Sequence, residues 1–336
     1  MRVQRTPAAG DVLVIKLGAL GDVALSLAHI ARIVESFPGG RVTLLTAPEY
    51  RELADGIAGL EVVAFPRKGY TAMWRLLRWL LGRRFRVVFD LQGSARSRIM
   101  TLLTQAERRI GRTPASAYTD VPVGQEESAH AVSRINALLA VAGVAPPAAG
   151  SVVMPRGRPA AAVSTWLEAR LPGKRKLVLM HAGSSRRWPS KRWEEAHFIE
   201  LARRLQARGI SVIWIGGEDD RELNQRLARE TGVDASGAFT CVDLVTLGSR
   251  AAFAITGDSG PMHVLSLSGI PVYAFFGPTD WQRSHALGQQ DNVLSNPVPC
   301  SPCHLGICPP AHRHECLADI TADRVIARLQ ADRLLD

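Results

Sequence analysis

Short apolar runs alternate with longer stretches of helical periodicity through the first half of this chain. The runs at 12–15, 42–45, 62–65 and 87–89 are rich in Val, Leu and Ile, whereas 24–36, 72–81 and 94–104 repeat apolar side chains at helical intervals. That switching of period predicts strands followed by helices. Near-continuous apolar strands joined through helices form a parallel sheet covered on both faces. Around 144–159 the chain turns to Ala, Gly and Pro, as a linker does. The alternation then restarts, with strands predicted at 177–180, 212–215 and 253–255 and helices near 193–207 and 221–229. A length of 336 residues suits two such domains better than one. The predicted fold class is α/β, with doubly wound Rossmann-like domains at 1–150 and 151–336; a return of the last helix onto the first domain is left open.

In open α/β sheets ligands sit beyond the carboxyl ends of the strands. Polar residues gather at those places here: Lys16 to Asp22, Asp90 and Gln92, His181 to Arg187, Gly216 to Asp219, and Asp258 to His263. The segment from Phe253 through Gly257, Asp258, Ser259, Gly260, Pro261, Met262 and His263 to Val272 carries the strongest pattern. It reads as a strand, a Gly-rich turn, a small-residue helix and a second strand. Such a turn offers free backbone N–H groups and a positive helix end, which suit a phosphate or nucleotide sugar without a metal. Asp22 reads either as a functional carboxylate or as the cap of a helix beginning near Val23. Gly18-Ala19-Leu20-Gly21 lacks the middle glycine of G-x-G-x-x-G, which argues against a dinucleotide-dependent oxidoreductase.

Charge adds one feature. The formal net charge is +10, and residues 67–112 hold twelve Lys or Arg against Asp90 and Glu107 alone. Within this segment Trp74, Leu76, Leu77, Trp79, Leu80 and Leu81 interleave with Arg75, Arg78, Arg83 and Arg84. The pattern fits an interfacial helix at anionic lipid headgroups, or a core-packed helix with a solvated basic edge. No nucleic-acid recognition motif accompanies the basic residues. No apolar run approaches the roughly 20 residues needed to span a bilayer, and 1–11 lacks the basic start and apolar core of a secretory signal, so a cytoplasmic location is expected. Cys300, Cys303, Cys308 and Cys316 crowd one segment with His304, His312 and His314. Reduced structural thiols, a structural zinc and a disulfide are all open to it, and its loss is expected to harm stability before chemistry. Cys241 lies apart and reads as buried.

Taken in order, 12–33, 90–94, 181–193, 215–218, 257–263 and 276–280 resemble the ADP-heptose:lipopolysaccharide heptosyltransferases of glycosyltransferase family 9. The Cys-Ser-Pro-Cys run at 300–303 resembles the heptosyltransferase II-like branch. The resemblance implies a GT-B fold, two Rossmann-like domains facing a central cleft, with acceptor bound mainly by the first and ADP-heptose by the second. It implies inverting, metal-independent transfer of heptose from ADP-L-glycero-D-manno-heptose to the lipopolysaccharide inner core, with no cofactor. The acceptor would be phosphorylated Kdo-lipid A or a heptosylated core, met peripherally at the cytoplasmic face of the inner membrane. The family's general base falls on Asp22, and its donor site on Arg186, Glu218, Asp258, Ser259, Gly260 and His263. Arg186 stands where family members carry a lysine ahead of Trp188-Pro189, and Ser259 where many carry Thr. A solvated loop is the plainer reading of Arg186 and Arg187, and a helix start that of Glu218. Arg75, Arg78, Arg96 and Arg98 are expected to meet the acceptor's phosphates or the membrane. The rivals are transfer of another nucleotide-activated sugar to a different surface glycan, and a non-catalytic glycan- or nucleotide-binding module.

Overall fold

A computed structural model describes residues 10–66, 68–124, 129–155, 161–173 and 176–336. The expectations placed on 1–9, on Arg67 and on 156–160 of the linker lie outside the described residues; 144–155 carries no helix or strand beyond the turns. The chain divides into two compact units, Met1–Arg156 and Gly157–Asp336.

In the first unit β1 (Val12–Ile15), β2 (Val42–Thr46), β3 (Leu60–Ala64), β4 (Val87–Asp90) and β5 (Arg108–Ile110) form a sheet of order β3-β2-β1-β4-β5. All its pairings are parallel. The second unit repeats the plan with β6 (Leu177–His181), β7 (Ser211–Trp214), β8 (Val233–Asp234), β9 (Phe253–Gly257), β10 (Val272–Phe276) and β11 (Val293–Ser295) in the order β11-β10-β9-β6-β7-β8. These pairings are parallel too. Strand order reverses between β1 and β4 in one sheet and between β6 and β9 in the other. Within each sheet the loops leaving those two strands therefore diverge and open a crevice, which is where α/β sheets bind ligands.

Period-two alternation decides which side chain faces which layer. Val178 and Met180 of β6 enter one core layer with Trp193, Phe198 and Phe275, while Leu179 between them enters the opposite layer with Met262 and Phe276. Trp193 stacks on Phe275 with ring centroids 4.3 Å apart, and its indole N–H donates to the Ile320 carbonyl at 2.7 Å. The last helix, Ala322–Ala331, seats Val325, Ile326 and Leu329 in this same layer, against the helix Glu195–Gln206. That helix is thus part of the second unit's own core.

Several expectations shift. The first helix begins at Leu20, not near Val23, so Asp22 lies inside its first turn and Ala19 is the cap residue, without a side-chain cap. A carboxylate there still favours the positive helix end, but it does not cap. The strand expected at 62–65 runs Leu60–Ala64. The sequence pattern missed the edge strand β5, the two-residue β8, and the helices Ala131–Val141, Ala161–Arg170 and Cys241–Gly248. Cys241 is half-buried, not buried. Among the described residues no helix is long and apolar enough to cross a membrane.

Candidate active site

The first unit's polar cluster grows from the ends of β1 and β4. Lys16 follows β1 directly and turns inward, buried, donating from Nζ to the Leu91 carbonyl at 3.2 Å and lying 3.7 Å from Asp22 Oδ2. Burial pushes the Lys16 ammonium below its ordinary pKa, while the charges of Asp22 and Asp90 work against that shift. Gly18 takes φ of +139°, a conformation few other residues tolerate, and this turn sets the entry to the helix Leu20–Ser36. Asp22 keeps 51% of its side chain exposed, so its carboxylate is both held by a cation and open to a substrate. Asp90 is fully buried at the end of β4. It accepts from the Gln92 N–H at 3.0 Å, the Gly93 N–H at 2.9 Å and the Tyr118 hydroxyl at 2.7 Å. Burial, together with the adjacent Asp90 charge, raises the Tyr118 phenol well above its usual pKa. Gln92 Oε1 accepts from the Leu17 N–H at 2.9 Å, which laces the two loops together. A methyl group on Gly111 would overlap the Tyr118 ring, so that glycine makes room for it.

The four arginines expected near the acceptor lie on two helices. Arg75 and Arg78 are exposed on Tyr70–Leu81; Arg96 and Arg98 are half-buried on Ala95–Leu103, with Arg98 donating to Thr113 Oγ1 at 3.2 Å.

In the second unit the cluster grows from the ends of β6, β7 and β9. Lys191 Nζ lies 2.6 Å from Asp258 Oδ2, the same oxygen that accepts from the Thr279 hydroxyl at 2.7 Å. The ammonium also sits 4.9 Å from the centroid of the Trp188 ring. Both partners of the ion pair are largely enclosed, at 18% and 9% exposure. Beside them runs a second chain of contacts. Asp220 Oδ2 accepts from the Gly217 N–H at 3.1 Å and lies 3.4 Å from His181 Nε2, and His181 Nδ1 lies 3.2 Å from Ser259 Oγ. A carboxylate only accepts, so a neutral His181 carries its proton on Nε2 and accepts a hydrogen bond from the Ser259 hydroxyl at Nδ1. Ser259 Oγ is then left with a lone pair for a ligand hydroxyl. Burial would raise the Asp220 carboxyl, but the hydrogen bonds from His181 and the Gly217 N–H, with the Arg192 charge nearby, outweigh it and hold the group below its ordinary range. Gly183 and Gly216 line this carboxylate so closely that a Cβ on Gly183 would overlap it.

Asp258, Ser259, Gly260 and His263 therefore meet at one turn, at the end of β9 and the start of the helix Gly260–Ser266, with His263 buried. Arg186 does not join them. Its side chain is 82% exposed and pairs with Asp219 at 2.9 Å. The cation on Asp258 is Lys191, five residues further on. Glu218 is also exposed, its two oxygens held by Arg221 Nε at 2.6 Å and a terminal guanidinium nitrogen at 2.5 Å, which lowers its pKa. A ligand ribose would have to compete with that fork. Sequence reasoning gave no role to Lys16, Lys191, Tyr118, Asp220 or Thr279. The available signals were a lysine immediately after an apolar strand and a second basic pair, Lys191-Arg192, beyond Trp188-Pro189.

Cys300, Cys303, Cys308 and Cys316 are all free thiols and line one small cavity of about 30 Å³ with His312 and His314. Burial and the three neighbouring thiols push Cys316 up to about 11. Among the described residues, no group of three or more His, Cys, Asp or Glu side chains is placed to hold a metal ion. A zinc set at these four cysteines is therefore not assembled in this geometry.

Comparison with known proteins agrees over most of the chain. A family described as glycosyltransferase family 9 (heptosyltransferase) matches residues 73–312. Lipopolysaccharide heptosyltransferase 1 of Pseudomonas aeruginosa is 28% identical over 332 residues, covering 88% of this chain and 87% of that protein. Among solved structures, a glycosyl transferase family 9 protein from Veillonella parvula superposes with a TM-score of 0.81 at 19% identity, covering 98% of each chain. The E. coli ADP-heptose LPS heptosyltransferase II gives 0.73 at 20% identity, covering 97% of this chain and 98% of its own. At such identities the likeness to solved structures is one of fold, and the fold is GT-B.

Proposed function

Because the chain belongs to glycosyltransferase family 9, the heptosyltransferases, we propose that it transfers a heptose from ADP-L-glycero-D-manno-heptose to a hydroxyl of the lipopolysaccharide inner core. The ion pair of Lys191 with Asp258 carries this reading, because it puts an enclosed cation beside backbone amides at the carboxyl end of β9. Lys191 spends one N–H on Asp258 and has two left for a diphosphate oxygen. Asp22 takes the proton of the acceptor hydroxyl while that oxygen bonds to the anomeric carbon. The bond from that carbon to the diphosphate breaks, its electron pair leaves on ADP, and the configuration inverts. Charge developing on the leaving diphosphate meets Lys191, which supplies the stabilisation that other transferases draw from a metal. Ser259 accepts from a sugar hydroxyl, and the first unit's basic helices hold the acceptor. The names of the relatives support the sugar and the acceptor class: one is a lipopolysaccharide heptosyltransferase and one an ADP-heptose LPS heptosyltransferase. Incubation of ADP-heptose with acceptors ending at Kdo, at one heptose or at two tests the assignment. Transfer to one of them is the expected result; transfer only from another nucleotide sugar would move the donor elsewhere.

We propose also that the protein meets the cytoplasmic face of the inner membrane through the helix Tyr70–Leu81. This helix has two apolar stripes. Leu76 and Leu80 are buried, while Tyr70, Met73, Trp74 and Leu81 are exposed, with Trp74 at 61%. Ile99 and Leu102 on the adjacent helix Ala95–Leu103 are exposed as well. Arg75 and Arg78 beside the outer stripe match an anionic headgroup layer. Co-sedimentation with vesicles containing anionic lipid, lost in Trp74→Glu and absent with neutral vesicles, is the expected result. Equal sedimentation of both proteins would refute it, and self-association through this face would show as a dimer in solution.

A further inference from the structure

The loop that carries the cysteines touches both segments that serve Asp258. Ser190, next to Lys191, has all three of its polar groups engaged by that loop. Its N–H donates to the Gly306 carbonyl at 3.1 Å, its hydroxyl donates to the Leu305 carbonyl at 2.6 Å, and its own carbonyl accepts from His314 Nε2 at 2.7 Å. On the other side the His304 N–H donates to the Pro278 carbonyl at 2.7 Å, and the Ser301 hydroxyl donates to the Gly277 carbonyl at 2.5 Å. Gly277 and Pro278 lead straight into Thr279, the second partner of Asp258. The contact is closely packed as well as bonded. A Cβ on Gly277 would lie 2.7 Å from Leu317 Cγ and 2.8 Å from the Cys316 sulfur, and one on Gly306 would overlap the Arg187 carbonyl. Cys316 and Leu317 are buried in the second unit's core, which anchors the loop from behind.

We propose that the loop 300–316 is a clamp that positions Lys191 and Thr279 on Asp258, with His314 and Ser301 as positioning residues, and so sets the affinity for the donor's diphosphate. This rests on the reading of the Asp258 turn as the diphosphate site. Apart from that of the Ser190 hydroxyl, the ties fall on the main chain of Ser190, Gly277 and Pro278, within two residues of the groups they position, so the loop governs where the ammonium and the hydroxyl stand. Loss of one tie lets its segment shift, and a hydrogen bond from the ammonium to the diphosphate that is lost with it is worth about tenfold or more in affinity.

The test is ADP binding by calorimetry to the full-length protein, with donor KM and kcat measured on the same variants. His314→Ala and Ser301→Ala are each expected to weaken ADP by about tenfold and to raise donor KM more than they lower kcat. His314→Gln, whose amide can still donate to the Ser190 carbonyl, is expected to recover most of the affinity. Ile307→Ser, at an exposed side chain of the same loop, is expected to bind as the parent does. ADP affinity unchanged within twofold in the His314→Ala, Ser301→Ala double variant, with a parent that binds ADP, would overturn the clamp and leave the donor site standing. A parent that binds no ADP would overturn the donor-site reading and the clamp with it.

Discussion

Lys191→Met should destabilise the second unit and abolish most of its response to ADP, for one reason. The substitution leaves Asp258, only 9% exposed, without its cation. Removing one partner of a buried pair typically costs about 3–5 kcal/mol, because the other charge stays buried and uncompensated. Asp258 keeps the Thr279 hydroxyl at 2.7 Å, and Lys191 itself is 18% exposed, which places the loss near the lower end of that range. For a unit of this size about 3 kcal/mol corresponds to a fall in melting temperature of roughly 6–12 °C. Asp258→Asn added to Lys191→Met should return part of it, since no charge is then stranded. Arg186→Met, which breaks an open ion pair, should melt with the parent. Differential scanning fluorimetry with and without ADP reads all four proteins. A Lys191→Met protein that melts within a degree of the parent and gains as much from ADP would refute the argument that this pair is enclosed and ligand-facing.

Asp22→Asn should lower turnover by roughly 10²–10⁴-fold, the usual contribution of a general base, while ADP binding measured by calorimetry stays at the parent value. Trp193→Ala should cost about 3–5 kcal/mol in urea unfolding, because the indole is buried, stacked on Phe275 and bonded to the Ile320 carbonyl. Acid unfolding provides a third check. Asp220 has a folded pKa below its unfolded value near 3.8, so its contribution is present above that pH and lost as pH falls through the folded value. Asp220→Asn should therefore flatten the acid limb of stability against pH, and an unchanged limb would show that the His181 contact does not hold the charge.

The legibility of this chain in sequence followed burial. Strands such as Val12–Ile15 and Val87–Asp90 are buried throughout and announce themselves as apolar runs. The edge strand Arg108–Ile110 opens on two arginines and has only one fully buried side chain, so nothing in its pattern distinguishes it from a loop. Val233–Asp234 is too short for any period to register. Asp22, Asp258 and Ser259 stood out in sequence because glycine-marked turns follow apolar runs. The contacts that hold the buried lysines did not, because Lys16 meets Leu91 and Lys191 meets Asp258 across separations of 75 and 67 residues. Arg186 and Lys191 flank the same Trp188-Pro189 pair, and both are cationic. Only the tight helical turn Pro189–Lys191 decides between them, directing Lys191 to Asp258 while Arg186 stays out on Asp219. Likewise the cysteine spacing left reduced thiols, a zinc or a disulfide open, whereas the clearest physical role of the segment is the set of ties that its loop makes to Ser190, Gly277 and Pro278.

In the proposed reaction Asp22 as base and Lys191 as the cation on the diphosphate serve transfer of heptose from ADP-heptose to an inner-core acceptor, with ADP released. The most direct test is product analysis by mass spectrometry after incubating the protein with ADP-heptose and an acceptor ending at Kdo, one heptose or two. One acceptor is expected to gain a single heptose with release of ADP, and that product is expected to be lost in both Asp22→Asn and Lys191→Met. No heptose gain on any of the three by a parent protein that is folded and binds ADP would contradict it.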